Sequence, residues 1–323
     1  MTVYPALRPR ASAVCFHKEG APTTTTDYRS QHAIGAAWKA LYENGLPDGG
    51  FGLRPGGEFR PDSTAWAIIA MAAGFGEDKV APACGRLCQA QQADGRVPLF
   101  PSHPDVVWPT ALAAIAWALA RERTKELARA CDFLVAHSER RTAVDPSGPV
   151  SHAQAARGWP WVLNSYSWVF PTGSALLALN LAGHSGHVRA SEAVDVLLER
   201  QLRGGGWNYG NAESFGQALR PFPDTTGLAL SALAGHATAA AVARSLDYLE
   251  GEACRVRTPW TLGWALLGLS SWDKRPQSAD DWIDKSLDRQ QRLGSYDTNA
   301  LAVLLTASAA RRGLRGRAPE GRP

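Results

Sequence analysis

The sequence predicts an all-α protein, a closed (α/α)6 toroid of about six helical hairpins, and three observations carry that prediction. One helix-opening phrase recurs along the chain, each copy starts a run that is apolar almost all round, and each is preceded by a segment apolar along a single stripe. No convincing alternating strand pattern interrupts them.

The recurring phrase is Pro-Asp-Ser-Thr-Ala-Trp from Pro61, Trp-Pro-Thr-Ala from Trp108, Phe-Pro-Thr-Gly from Phe170 and Pro-Asp-Thr-Thr from Pro223. Looser copies follow at Thr258 and Tyr296. Asp, Ser and Thr suit free backbone N–H groups at a helix start, and Pro fits the first turn. The runs behind them, such as Ala-Trp-Ala-Ile-Ile-Ala-Met, are apolar on every face and must be buried. These are the expected inner helices.

The segments between them read as outer helices, wet on one side. Ile34, Trp38 and Leu41 lie at i, i+4, i+7, as do Leu127, Cys131 and Leu134, and Val242, Leu246 and Leu249; Val194, Leu197 and Leu198 make a fourth stripe. Spacing between inner copies runs from about 35 to about 62 residues, so length variation falls in the connections. The expected organisation is an irregular segment over 1–29, the toroid over 30–310 and a basic, solvated tail over 311–323.

Composition narrows the function. The apolar fraction is 45% with 20% charged residues, ordinary for a globular chain. The net charge is +4, but the arginine-rich tail supplies nearly all of it, leaving a neutral body without a nucleic-acid footprint. That tail is a candidate for peripheral contact with an anionic membrane. No apolar stretch is long enough to span a bilayer and the N-terminus lacks the apolar core of a secretory signal, so the expected location is cytoplasmic. Five scattered cysteines read as reduced core thiols, and no metal or cofactor is expected.

A second phrase links outer to inner helices: Gln201-Leu-Arg-Gly-Gly205-Gly-Trp207, Gln91-Gln-Ala-Asp-Gly95-Arg-Val97 and Gln290-Gln-Arg-Leu-Gly294-Ser-Tyr296, with a degenerate copy from Asn44 to Phe51. In each, Gln satisfies backbone groups at the end of its helix, Gly permits a tight turn, and the last residue packs onto the next helix. Together these phrases resemble the QW motif and the prenyltransferase and squalene oxidase repeat of the squalene cyclase, terpenoid cyclase and protein prenyltransferase superfamily, from about Ser30 to about Ala310.

The resemblance implies an isoprenoid-handling toroid. It does not extend to the chemistry, because the Asp-x-Asp-Asp acid motif of type II terpene cyclases and the Asp-x-Cys zinc ligands of protein prenyltransferases are both missing. Asp280-Asp281-Trp-Ile-Asp284 matches the DDxxD signature of class I terpene synthases, yet it opens an outer helix, where acids suit the dipole. Asp62 and Asp224 are the candidate catalytic acids. Each, like Asp297, stands where a carboxylate caps a helix, and Asp224 is preferred for the aromatic loop before it.

Twelve tryptophans sharpen the binding expectation. Trp159, Trp161, Tyr166 and Trp168 crowd one connection; Trp207, Tyr209, Phe215 and Phe222 crowd the next, whose glycine-rich loop also offers the polar Asn208 and Asn211; Trp108 and Trp260 stand at inner-helix starts, with Trp66, Trp117 and Trp264 inside inner helices. Aromatic faces attract carbocations and wall isoprenoid chains. The expected function is binding and transformation of a squalene- or polyprenyl-type molecule in an aromatic central cavity, with a second chain completing the site, since squalene cyclases join two such barrels. The alternatives are a non-catalytic scaffold toroid and a sugar-active (α/α)6 enzyme, the latter requiring Asp62 and Asp224 within about 10 Å of each other.

Overall fold

A computed structural model describes residues 24–75, 80–137, 157–210, 212–214 and 217–317. Outer helices are α1 (Thr24–Glu43), α3 (Ala81–Cys88), α5 (Thr124–Ala136), α7 (Val188–Glu199), α9 (Ala239–Ala253) and α11 (Ala279–Asp288). Inner helices are α2 (Pro61–Phe75), α4 (Pro109–Ala120), α6 (Val169–Leu181), α8 (Pro223–Leu233), α10 (Pro259–Ser270) and α13 (Thr298–Ala309); α12 (Gln290–Leu293) is a short turn before the last. Helix α1 starts at Thr24, inside the segment expected to be irregular.

The inner helices pack in order around a ring, α2 on α4, α4 on α6, α6 on α8, α8 on α10 and α10 on α13, and α13 returns to α2. Closure is reinforced by the chain ends of the repeat: the Thr298 hydroxyl donates to the Gly52 carbonyl at 2.5 Å, and Thr298 N–H to the Leu53 carbonyl at 3.0 Å. Small residues set the ring tight. A Cβ on Gly227 of α8 would overlap the Trp264 carbonyl of α10, so only glycine fits there.

Helix starts are organised differently from the expectation. Of the three acids placed as caps, only Asp297 accepts a helix N–H, that of Ala300 at 2.8 Å; Asp62 and Asp224 are already the second residues of their helices. The recurring threonine is a clasp. Thr64, Thr110, Thr172 and Thr226 each accept, at 2.9–3.0 Å, a backbone N–H from within the preceding connection: that of Phe51, Val97, Trp159 and Trp207. Each clasp ties an inner helix to the loop that leads into it.

The glycine of the QW-like phrase does what its spacing predicted. Gly95 and Gly205 both have φ of +94°, and a Cβ on either would overlap a carbonyl of the following outer helix, Arg129 or Arg244. The glutamine does not bond its own helix end: Gln91 donates to the carbonyls of Gly95 and of Glu126 in α5, and Gln201 to the Ser245 hydroxyl in α9. It staples neighbouring hairpins together. Residues 311–317, expected in the solvated tail, pack onto the ring: Leu314 is 2% exposed and Arg311 pairs with Asp280 at 2.7 Å.

No helix of the described residues is long and apolar enough to cross a membrane. Burial pushes the thiols of Cys84 and Cys131 up to about 12 and that of Cys88 to about 11, consistent with inert core thiols. Cys15 lies outside the described residues.

Candidate functional site

All six inner helices begin at one end of the ring, and the connections that carry the aromatic residues converge there. Second positions of the helices face equivalent directions, and they hold Asp62 in α2, Phe170 in α6, Asp224 in α8 and Trp260 in α10. Four residues on from Asp62 and Trp260, on the same helical faces, come Trp66 and Trp264.

Rings from the alternate helices α2, α6 and α10 meet. Trp66 lies edge-on to Trp260 and Trp264 with centroids 5.4 and 5.5 Å apart; Phe170 stacks on Trp260 and meets Trp264 edge-on, both at 6.0 Å. Alternate members of a six-helix ring can touch only at its axis. Trp161 extends the cluster by stacking on Phe170 at 5.4 Å, and Trp108 meets Trp161 at 5.7 Å.

This corrects the expected central cavity. Helices 8–10 Å apart in a six-membered ring leave the axis only about 8–10 Å from each helix axis, a bore that aromatic side chains fill. Trp66 and Trp264 are each 1% exposed, forming an aromatic plug, while Trp108, Trp161 and Trp260 are half-buried at its rim. The site is a mouth floored by rings. Trp66, Phe170 and Trp264 were outside the predicted binding set; the equal spacing of Trp260 and Trp264, one helical turn, was the signal that marked a shared face.

The other predicted aromatics divide in two. Trp159 and Trp207 are wedges: Trp159 is 5% and Trp207 0% exposed, and their indole N–H groups donate to carbonyls of the preceding outer helices, Leu134 at 3.0 Å and Leu197 at 2.6 Å. Their faces are spent on packing. Tyr296 repeats the pattern, its hydroxyl donating to the Ser286 carbonyl at 2.7 Å.

Tyr166, Trp168, Tyr209 and Phe222 instead remain exposed on the neighbouring connections. The Val169 N–H donates to the Tyr209 carbonyl at 2.8 Å, and Tyr209 stacks on Phe222 at 4.9 Å, so the two loops form one apolar rim. Asn208 is buried, its side-chain oxygen accepting the Gly210 N–H at 2.9 Å. It shapes the loop. The strands β1 (Glu213–Ser214) and β2 (Gln217–Ala218) pair antiparallel just beyond it. Asn211 and Phe215 lie outside the described residues.

The two candidate acids occupy equivalent positions on opposite sides of the ring, on helices whose axes are roughly 16–20 Å apart. Asp62 is clamped: one oxygen accepts from Arg60 Nε, the other from Arg60 Nη2 and Asn299 Nδ2, at 2.9, 2.9 and 3.0 Å. All three partners donate, so this carboxylate is a hydrogen-bond acceptor on both oxygens. Asp224 is also buried, and its neighbour is the Tyr209 hydroxyl at 3.4 Å, with no ion pair among the described residues. Burial, and then the charge of Asp224, hold the Tyr209 phenol above its ordinary value.

The DDxxD look-alike sits outside the ring. Asp280 pairs with Arg275 and Arg311, and Asp281 with Lys285. Among the described residues there is no cluster of three metal-binding side chains.

No protein-family model matches the sequence, and no curated protein is significantly similar to it. Solved structures do match. The type II terpene cyclase MstE from Scytonema superposes with TM-score 0.58 at 16% identity over 88% of this chain and 99% of that one, and another MstE structure holds its substrate geranylgeranyl dihydroxybenzoate. A protein from Actinoplanes gives 0.58 at 17% identity, covering 90% and 99% of the two chains. The GH76A α-1,6-mannanase from Salegentibacter sp. gives 0.60 at 9% identity, covering 87% and 99%. A type II terpene cyclase thus exists at the length of one such ring, which removes chain length as a reason to require a second subunit. At these identities the likeness establishes the fold, and the chain is an α/α toroid of the architecture that serves both a terpene cyclase and a mannanase.

Proposed function

We propose that the aromatic mouth binds an isoprenoid chain of the squalene or polyprenyl type and that Asp224 is the acid of any transformation there. The observation that carries this reading is the set of half-buried rings Trp108, Trp161 and Trp260 gathered at the mouth, backed by the buried plug of Trp66, Phe170 and Trp264. A floor of π faces suits an alkene chain and the positive charge that protonating it creates. The exposed rim of Tyr166, Trp168, Tyr209 and Phe222 supplies further apolar surface to a chain longer than the floor. Of the two acids, Asp62 has both oxygens occupied by strong donors, whereas Asp224 accepts, among the described residues, from the Tyr209 phenol at 3.4 Å and is the less engaged of the two.

The sugar-active reading draws on the mannanase likeness. Against it stands the clamp on Asp62, whose two oxygens are held by Arg60 and Asn299, which leaves Asp224 as the freer of its two candidate carboxylates. Tryptophan fluorescence separates the readings: geranylgeranyl and squalene ligands should quench it saturably and α-1,6-mannotriose should not. Saturable quenching by the mannotriose alone would reverse the assignment. Product analysis after incubation with the lipid that binds then distinguishes an enzyme, inactivated by Asp224→Asn, from a scaffold toroid that binds without turnover.

A further inference from the structure

The ends of the inner helices remote from the mouth hold a second cavity, of about 250 Å³, lined by Ala234 and Gly235 after α8, Ser270, Ser271 and Asp273 at the end of α10, and Arg312, Arg315 and Gly316 of the C-terminal segment. That segment is fastened over the ring: Leu314 is 2% exposed, and Gly313 sits against Ser271 where a Cβ would overlap its hydroxyl.

Two arginines line this cavity without carboxylate partners among the described residues, Arg315 half-buried and Arg312 exposed at its edge. Arg311 and Arg275 at the same end both pair with Asp280, but Arg312 and Arg315 form no ion pair among the described residues, Asp273 included. Arg315 Nη1 is buried and donates to no partner among the described residues; it fits because position 235 is glycine, whose absent Cβ would lie 2.6 Å from it. An unpaired, half-buried cation is costly, and burial lowers the tendency of this guanidinium to stay charged, with no carboxylate offsetting it. Ser270 adds a hydroxyl that accepts weakly from Arg275 at 3.4 Å and keeps its own hydrogen to donate.

We infer that this cavity binds a small oxyanion of the phosphate class, held by the Arg315 and Arg312 guanidiniums and the Ser270 hydroxyl. Planar guanidinium forks match phosphate oxygens, and the cavity admits a phosphate or a small phosphomonoester but not a nucleotide-sized ligand. The site lies at the other end of the ring from the aromatic mouth and does not depend on what the mouth binds.

Calorimetric titration of the full chain with inorganic phosphate and, in parallel, glycerol phosphate tests it, against chloride at matched ionic strength. One saturable site per chain is expected, with a phosphate-dependent rise in Tm. Arg315→Met should weaken binding by about tenfold or more and abolish the rise, while Arg312→Gln weakens it by a smaller factor. Tighter binding of glycerol phosphate identifies a phosphomonoester as the occupant, and tighter binding of phosphate the free ion. Absence of saturable binding to the native chain, or unchanged affinity in a folded Arg315→Met or Arg312→Gln variant, would overturn the assignment.

Discussion

The first and fourth repeats start from nearly the same words, Pro-Asp-Ser-Thr and Pro-Asp-Thr-Thr, and put them to different use. Both clasp the preceding loop through the last threonine, Thr64 or Thr226. In the first, the aspartate is locked by Arg60 and Asn299, and the helix sends Trp66 to the axis. In the fourth, Asp224 meets, among the described residues, a phenol at 3.4 Å, and Leu228 stands where the first repeat has Trp66. A shared motif therefore conserves the joint between loop and helix while the chemistry at its second residue is set by neighbours from other repeats.

Substitutions in the two repeats can break that contrast. The largest effect is expected from Trp207→Ala, which removes a wholly buried ring and leaves the Leu197 carbonyl without its donor: a loss of about 3–5 kcal/mol in chemical denaturation. Equal loss of ligand quenching at a temperature where the variant is fully folded would move Trp207 from wedge to binding residue. Asp62→Asn should cost about 2 kcal/mol by uncoupling the clamp from Arg60, whose side chain is partly exposed and so partly solvated. Thr226→Val should cost about 1–2 kcal/mol, since the buried Trp207 N–H loses its acceptor; Thr64→Val should match it if the clasps are equivalent.

Asp224→Asn should change stability by less than about 1 kcal/mol while moving a titration. Tyr209 is held above its ordinary value first by burial and then by Asp224, so removing that charge should bring its alkaline absorbance titration downward. The sign for stability follows: a phenol with a raised folded-state value contributes below the unfolded value, and the contribution is lost as pH rises through the folded one. The variant should lose less stability at alkaline pH than the parent. An unmoved titration would mean that Asp224 and Tyr209 are not neighbours.

The helices were legible because their apolar periodicity follows from local geometry and burial, and all six inner helices fall where the recurring phrase lies. The turn glycines were legible for the same reason: Gly95 and Gly205 occupy φ that side chains avoid. The clasps were not. A threonine near a helix start reads as a cap, and only the fold brings Phe51, Val97 and Trp159 within reach, each 13 residues upstream across a loop. Nor could spacing separate the wedges Trp159 and Trp207 from the exposed Trp168, because one residue of difference in a loop decides whether an indole points into the ring or out of it.

The sequence by itself determined the all-α ring, its inner and outer helices and the end at which aromatics gather, since each rests on short-range periodicity and composition. Tertiary structure alone decided that the axis is plugged, that Asp62 is clamped by Arg60 and Asn299, and that residues 311–317 fold back onto the ring. Those outcomes depend on side chains from repeats distant along the chain, such as Asn299 reaching Asp62 across 237 residues, and closure of the ring is what makes them neighbours.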